Sequence, residues 1–344
     1  MAGEYRFSFG PWNIHEGADP FGPMVRDTIA FAEKLKLYKK LGFDGVQFHD
    51  DDAVPDMNKL GPSEITKQAE QVRKMLADEG LTAEFVAPRL WEDPQTIDGA
   101  YTSNDPKARQ YAKDRSRRCI DIAVALDTKL IVLWLAREGT YIREAKDSKL
   151  ATDRLVEAIN DMLDYNSDIK IAIEPKPNEP MDQAYIPTTG HALALGYLTK
   201  DAKRVGVNIE TAHVILAGLD PSDEMGFALA YEKLYTVHLN DQNGLKFDED
   251  KSFGSVNLRR AFNQVRILDA YDYGKKGEFV GLDVKAMRTQ KAEVATKHLS
   301  NSRTVFFKLL ELARSLDEAK VMKLIADRDY EELDMLIMSH LMGK

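Results

Sequence analysis

The chain has 344 residues, 44% of them apolar, with 47 Lys and Arg against 56 Asp and Glu, a net charge of −9 and one cysteine, Cys119. The acidic balance argues against a nucleic-acid partner, whose phosphates need a basic surface, and a lone thiol excludes an intramolecular disulfide framework. No run of about 18 apolar residues occurs and the N-terminus carries neither a basic nor an apolar signal region, so a cytoplasmic protein with no membrane partner is expected.

Short apolar or β-branched runs predict strands at 7–10, 46–49, 83–87, 130–134, 169–174, 205–210, 234–239 and 279–284. Helical patterns lie between and after them, near 26–41, 63–79, 106–127, 147–165, 190–203, 221–232, 256–270 and 289–314. In the last, Val305, Leu309, Leu312 and Leu316 make one apolar stripe. Segments such as Ile169-Lys170-Ile171-Ala172-Ile173 lack internal alternation of charge, as strands buried on both faces do. Eight β units each followed by a helix predict a closed (β/α)8 TIM barrel over 1–314, with a doubly wound open sheet as the alternative. Residues 315–344 read as a C-terminal helical extension, because no ninth strand follows them.

Chemistry in such a barrel gathers at the carboxyl ends of the strands. Taken in chain order, this sequence places there Trp12, then His49 with Asp50, Asp51 and Asp52, then Trp91 and Trp134. Glu174 and Lys176 follow, then Glu210 and His213, His238, Asp248 and Asp250, and finally Asp283 with Lys285. The five carboxylates Glu174, Glu210, Asp248, Asp250 and Asp283, converging on one rim, would repel unless cations neutralised them, and with His213 and His238 they make a ligand set for two divalent ions sharing one carboxylate. Oxygen-rich ligation suits Mg²⁺ or Mn²⁺, and the imidazoles draw the preference towards Mn²⁺ or Co²⁺. Each residue has a plainer reading: Glu174 as a salt-bridge partner, Asp248-Glu249-Asp250 as a solvated turn, His238 as a core histidine, the tryptophans as barrel-end packing. His191 reads as structural at a helix start, and His15, His298 and His340 carry no assignment. The metal reading rests on their convergence on one face.

At these residues the sequence resembles the xylose isomerases of the shorter, actinobacterial-like class. The resemblance runs through Phe7-Ser-Phe-Gly-Pro-Trp12, Asp19-Pro-Phe21-Gly22, His49-Asp-Asp-Asp52, Tyr101-Thr-Ser-Asn-Asp105, Trp134-x-x-Arg137-Glu138-Gly139 and Glu174-Pro-Lys176-Pro-Asn-Glu-Pro180. It continues through Asn208-x-Glu210-Thr-x-His213, Lys246-Phe-Asp248-x-Asp250 and Asp283-x-Lys285, covering about 5–316 in order. It implies conversion of D-xylose to D-xylulose, and of D-glucose to D-fructose, by ring opening and a metal-assisted 1,2-hydride shift. A structural ion would use Glu174, Glu210 and Asp283, and a catalytic ion Glu210, His213, Asp248 and Asp250. His49, oriented by Asp52, would assist ring opening, and Lys176 would contact the sugar's carbonyl end. Trp12, Trp91 and Trp134 would wall the pocket, while Phe21 would reach into a neighbouring subunit's site in a homo-oligomer, a dimer or a tetramer.

Two departures stand out. His238 occupies a position where these isomerases place an aspartate and the related L-rhamnose isomerases a histidine, and the C-terminal arm is shortened. L-rhamnose or another aldose is therefore the alternative substrate. Three rival functions are a single-metal ketose 3-epimerase, a nuclease-type phosphodiesterase and a sugar-binding barrel without catalysis. An epimerase would leave Asp248 and Asp250 without a task, and a phosphodiesterase would want more histidines and a basic groove. The intact Lys176, His49 and Asp52 argue against a barrel that only binds.

Overall fold

β-Branched and aromatic residues dominate eight segments that pair side by side as parallel strands: β1 (Arg6–Phe9), β2 (Gly45–His49), β3 (Thr82–Ala87), β4 (Leu130–Trp134), β5 (Lys170–Glu174), β6 (Val205–Glu210), β7 (Leu234–Leu239) and β8 (Phe279–Leu282). β8 pairs with β1, closing the ring, so the barrel and not the open sheet is the architecture. The structure is a computed structural model that describes residues 5–19 and 21–343. The first four residues of the stretch read above for a signal, residue 20 of the 19–22 segment and residue 344 of the extension lie outside the described residues.

The helices that wrap the barrel are α1 (Phe31–Leu41), α2 (Pro62–Asp78), α3 (Pro106–Ala125), α4 (Ser148–Tyr165), α5 (Thr189–Tyr197), α6 (Pro221–Ala230), α7 (Leu258–Ala270) and α8 (Lys297–Ser315). Most of their starts are written in the sequence. The side chains of Asp105, Asp147, Asp220 and Asn257 each accept a hydrogen bond from a backbone N–H of the first turn, and Pro106 and Pro221 occupy first positions. Two further helices, α9 (Glu318–Asp327) and α10 (Tyr330–Leu341), follow α8 and pack through Val321, Leu324 and Ile337.

Three predicted helices are shorter than their patterns. Residues 26–30 are not helical because the Arg26 guanidinium is spent on the carbonyls of His15, Met287 and Gln290, which pins this stretch as a loop. The segment 289–296 holds only a single turn, Ala292–Val294, and α5 stops at Tyr197 before the turn that leads into β6.

Strand alternation sorts the side chains. Phe7 and Phe9 face the helices, stacking with Phe306 and with Tyr38 and Phe43, while Ser8 faces the barrel axis. There Ser8 donates to the Glu84 carboxylate, which also accepts from Gln47 Nε2 (3.3 Å) and Thr236 Oγ1 (2.5 Å). Two β-bulges set what points inward. Val46 pairs with Ala83 and Phe48 with Val86, so Glu84 and Phe85 together stand opposite Gln47, and both turn to the axis. In β7 the step from Val207–Leu234 to Asn208–Thr236 inserts Tyr235, which brings Thr236 and His238 into phase with Asn208 and Glu210.

Candidate metal and sugar site

The carboxyl ends of the strands open into a cavity of about 560 Å³. β5 ends in Glu174 and β6 in Glu210, and a one-turn helix, Thr211–Leu216, then presents His213 beside them. His238 stands opposite Glu210 in the pairing of β6 with β7, with its ring against Phe85. Asp248 and Asp250 come from the loop after β7, and Asp283 directly follows β8. Every residue predicted for the site lines this cavity except Asp52, which stands behind His49, and Phe21, which is 95% exposed.

Contacts among these groups are close. His213 Nε2 lies 3.1 Å from Asp248 Oδ2 and 3.3 Å from Glu210 Oε1, and its Nδ1 lies 3.5 Å from Glu174 Oε1. His238 Nδ1 is 3.5 Å from Glu174 and 3.8 Å from Glu210. Two lysines answer the acids: Lys176 Nζ donates to Asp248 at 2.9 Å and Lys285 Nζ to Asp250 at 2.8 Å. Asparagines fix the remaining oxygens, Asn208 donating to Glu174 at 2.6 Å and Asn240 to Glu210 at 2.9 Å.

The protein alone leaves this cluster electrostatically unsettled. Burial pushes the Glu210 carboxyl well above the usual carboxylate range, and Asp248, Glu174, Asp283 and Asp250 push it further. Burial and then Asp248 do the same to Asp250, against the pull of Lys285. Burial also works to raise Asp248, but Lys176 and His213 outweigh it and hold that carboxyl well below its ordinary value. Burial opposes the charge on Lys176, yet Asp248 and Glu179 keep its proton above lysine's usual range.

These donors fit a divalent cation. Three sets of ligand atoms lie within 4.8 Å of one another: Glu174, Glu210 and His213; Glu210, His238 and Asp283; and Glu210, Asp248 and Asp250. Glu210 belongs to all three. His213 Nδ1, His238 Nε2 and Asp248 Oδ1 are buried with no hydrogen-bond partner among the described residues, a costly state for polar atoms unless something else satisfies them. Cys119 is buried inside α3, far from a ligand role.

The opposite wall is aromatic. Trp12 stacks on His49 with ring centres 4.1 Å apart, His49 meets Trp91 edge-on at 5.0 Å, and Trp91 meets Trp134 edge-on at 4.6 Å. The Trp12 indole lies over Gly10, where a Cβ would fall 2.2 Å from the ring, so glycine is required there. Asp283 Oδ1 accepts from Trp12 Nε1 (2.9 Å) and Asn13 Nδ2 (2.8 Å), tying this wall to the acidic one.

Other predicted motifs turn out to be scaffolding. The Glu138 carboxylate accepts the backbone N–H groups of Ala100, Tyr101 and Thr102, which joins the Tyr101–Asp105 segment to the Arg137–Gly139 segment. Thr188 caps the start of α5 by accepting the His191 backbone N–H, and its hydroxyl also meets His191 Nδ1 at 2.8 Å. His298, on α8, holds the Asn13 carbonyl at 2.9 Å. Burial drives the His298 pKa down to about 4, against its bond to Asn13 and with help from Arg26 and His15. The unfolded chain protonates the same group near 6.5. Unfolding therefore takes up a proton between these values: stability is full above pH 6.5 and falls by about 3 kcal/mol as pH drops to 4. Urea midpoints across pH 4–7 should show this slope, and a His298→Gln variant should flatten it.

A family model described as xylose isomerase-like TIM barrel matches residues 35–274. A xylose isomerase from Thermus thermophilus is 36% identical over 295 residues, spanning 84% of this chain and 75% of its own. The chain belongs to the xylose isomerase-like TIM-barrel family. Members of the fold with little sequence in common superpose on it as well. A D-tagatose 3-epimerase-like protein does so with a TM-score of 0.65 at 15% identity, over 90% of this chain and 98% of its own. An IolI protein described with a bound zinc atom reaches 0.59 at 14% identity, over 89% and 98%. The sequence reading missed Arg89, in the loop after β3, which meets His49, Asp51, Asp52 and Glu92 at once. A single arginine between apolar residues carries no periodic or motif signal, so nothing in the sequence pointed to it.

Proposed function

We propose that this chain is a metal-dependent aldose–ketose isomerase acting on D-xylose, with D-glucose as a further substrate, in the cytoplasm. The observation that carries the reading is Glu210, which stands in all three ligand sets in a cavity that also holds His49 and Lys176. Glu174, Glu210, His238 and Asp283 would hold a structural ion, and Glu210, His213, Asp248 and Asp250 a catalytic one. Bound ions would supply Lewis-acid polarisation of the C1–O1 and C2–O2 unit. Lys176, buried and cationic, would place its ammonium on the carbonyl oxygen as negative charge develops there. His49 would transfer the proton that ring opening requires, and Trp12, Trp91 and Trp134 would exclude water and stack on the sugar's C–H faces.

His238 replaces an oxygen ligand with nitrogen, which favours Mn²⁺ or Co²⁺ over Mg²⁺. Phe21, with exposed Met24 and Val25 near it, fits a homo-oligomer, a dimer or tetramer, in which the ring enters a neighbour's site. The second reading is a single-ion ketose 3-epimerase, whose relevance comes from the superposed epimerase-like fold. The test is a panel of aldoses, L-rhamnose included, assayed with Mg²⁺, Mn²⁺ and Co²⁺ in turn and scored for ketose. D-Xylulose formed from D-xylose, fastest with Mn²⁺ or Co²⁺ and at two ions per chain, is the expected result. Epimerised ketose with one ion per chain would replace this reading with the second.

A further inference from the structure

The one-turn helix Asp50–Ala53 follows β2 with three carboxylates in a row, and two guanidinium groups hold them. Arg115 of α3 binds Asp50 through two nitrogens, each at 2.7 Å, and reaches Asp51 at 3.2 Å. Arg89 donates from Nε to Asp51 at 2.7 Å and from Nη1 to Glu92 at 3.2 Å. Its Nη2 lies 3.0 Å from Asp52 Oδ1 and 2.7 Å from His49 Nδ1. Asp52 Oδ2 also lies near that same imidazole nitrogen, at 2.9 Å, and accepts the His49 backbone N–H at 3.1 Å.

His49 Nδ1 thus sits between a group that can only donate and one that can only accept. It can satisfy one of them. Nη2 has two hydrogens and two acceptors in reach, Asp52 Oδ1 and His49 Nδ1, so both are used when Nδ1 is bare. A proton on Nδ1 would instead face an N–H at 2.7 Å, while Asp52 Oδ2 keeps its backbone donor whether or not that proton is there. We propose that Arg89 is a positioning residue that sets the tautomer of His49: Nδ1 accepts from Arg89, and the proton stands on Nε2, facing the cavity.

The resting imidazole then offers a hydrogen-bond donor to its ligand, which suits the ring oxygen of a cyclic sugar, an atom with lone pairs only. This use of the donor rests on the isomerase reading; the tautomer itself does not. Arg89 also sets a positive charge against Asp51, Asp52 and Glu92 beside His49. The charged groups around the ring are Asp52 on its own helix, Arg89 with Asp51 and Glu92 beyond β3, Lys34 of α1 near Asp52, the Asp50–Arg115 pair, and Asp283 across Trp12.

Two-bond 1H–15N correlation spectra of histidine-labelled protein distinguish the tautomers without any sugar, with the His49 signals assigned from a His49→Gln variant. The wild type should show Nε2–H and bare Nδ1. Arg89→Met should switch the pattern to Nδ1–H. Arg89→Lys, which returns the charge without the rigid fork, should leave the tautomer bias weakened. Nδ1–H in the wild type would overturn the proposal, as would an Arg89→Met variant with an unchanged tautomer. If Arg89→Met does not fold, the wild-type and Arg89→Lys spectra decide. Failure of the aldose panel with the expected spectra would count against the isomerase reading alone.

Discussion

Glu210→Gln should abolish turnover while making the metal-free protein more stable. The two effects have one cause. Glu210 is buried with four other carboxylates around it, and burial together with those charges holds its proton far above the ordinary carboxylate range. Gln keeps the shape and needs no proton, so the apo protein is spared the cost of holding that carboxyl protonated among its neighbours. The same change takes one ligand from every set of donors in the cavity. Binding of Mn²⁺ should weaken by at least about 100-fold, since even the outer partners of metal ligands are worth 10–100-fold. Ketose formation should fall by about 1,000-fold or more, the scale of losing preorganised charge stabilisation. Thermal melts with and without Mn²⁺ read both signs: the apo transition moves up, and the upward shift that the ion gives the wild type disappears. At 100 times its Kd the ion adds about 2.7 kcal/mol to the wild type. A Glu210→Gln enzyme with near-normal activity would end the shared-ligand assignment.

Lys176→Met should separate metal binding from chemistry. Lys176 Nζ lies 2.9 Å from Asp248 and 3.3 Å from Glu179, and 5.2 Å from the centre of the Trp134 ring. In the absence of an ion this ammonium competes for Asp248, a proposed ligand. Its loss frees that carboxylate, so calorimetry should find Mn²⁺ affinity unchanged or tighter. The rate has the opposite sign. A buried cation aimed at a developing oxyanion is worth about 100- to 1,000-fold in kcat, and methionine supplies the packing without the charge. A fall in metal affinity that accounts for the lost rate would assign Lys176 to holding Asp248 and not to catalysis.

The barrel and the acidic rim were legible in the chain because they depend on local order. Segments such as 130–134 and 169–174 are short, apolar and β-rich, and the residues that end them, Trp134 and Glu174, fall side by side in the pairing of β4 with β5. Period-2 alternation then fixes which side chains enter the barrel. Capping residues such as Asp105 and Asn257 mark helix starts for the same reason, since each acts within one turn of chain.

Alternation fails where a bulge interrupts it. The extra residues in β3 and β7 turn Phe85 and Glu84 inward together and bring His238 level with Glu210, and neither offset leaves a mark in the local pattern. The loop at 26–30 reads as helix until Arg26 is seen spending its donors on the carbonyls of Met287 and Gln290, some 260 residues along the chain.

From its sequence alone the chain settled the order of strands and helices and which acidic and aromatic residues gather at the carboxyl ends of the strands. Only the folded molecule decided that Arg89 shares a nitrogen with Asp52, that Glu210 stands in all three ligand sets, and that His298 supports the Asn13–Asp283 corner. Backbone periodicity is a property of neighbours along the chain. Charge and hydrogen-bond competition at one atom depend on distances between segments that only closure of the barrel brings together.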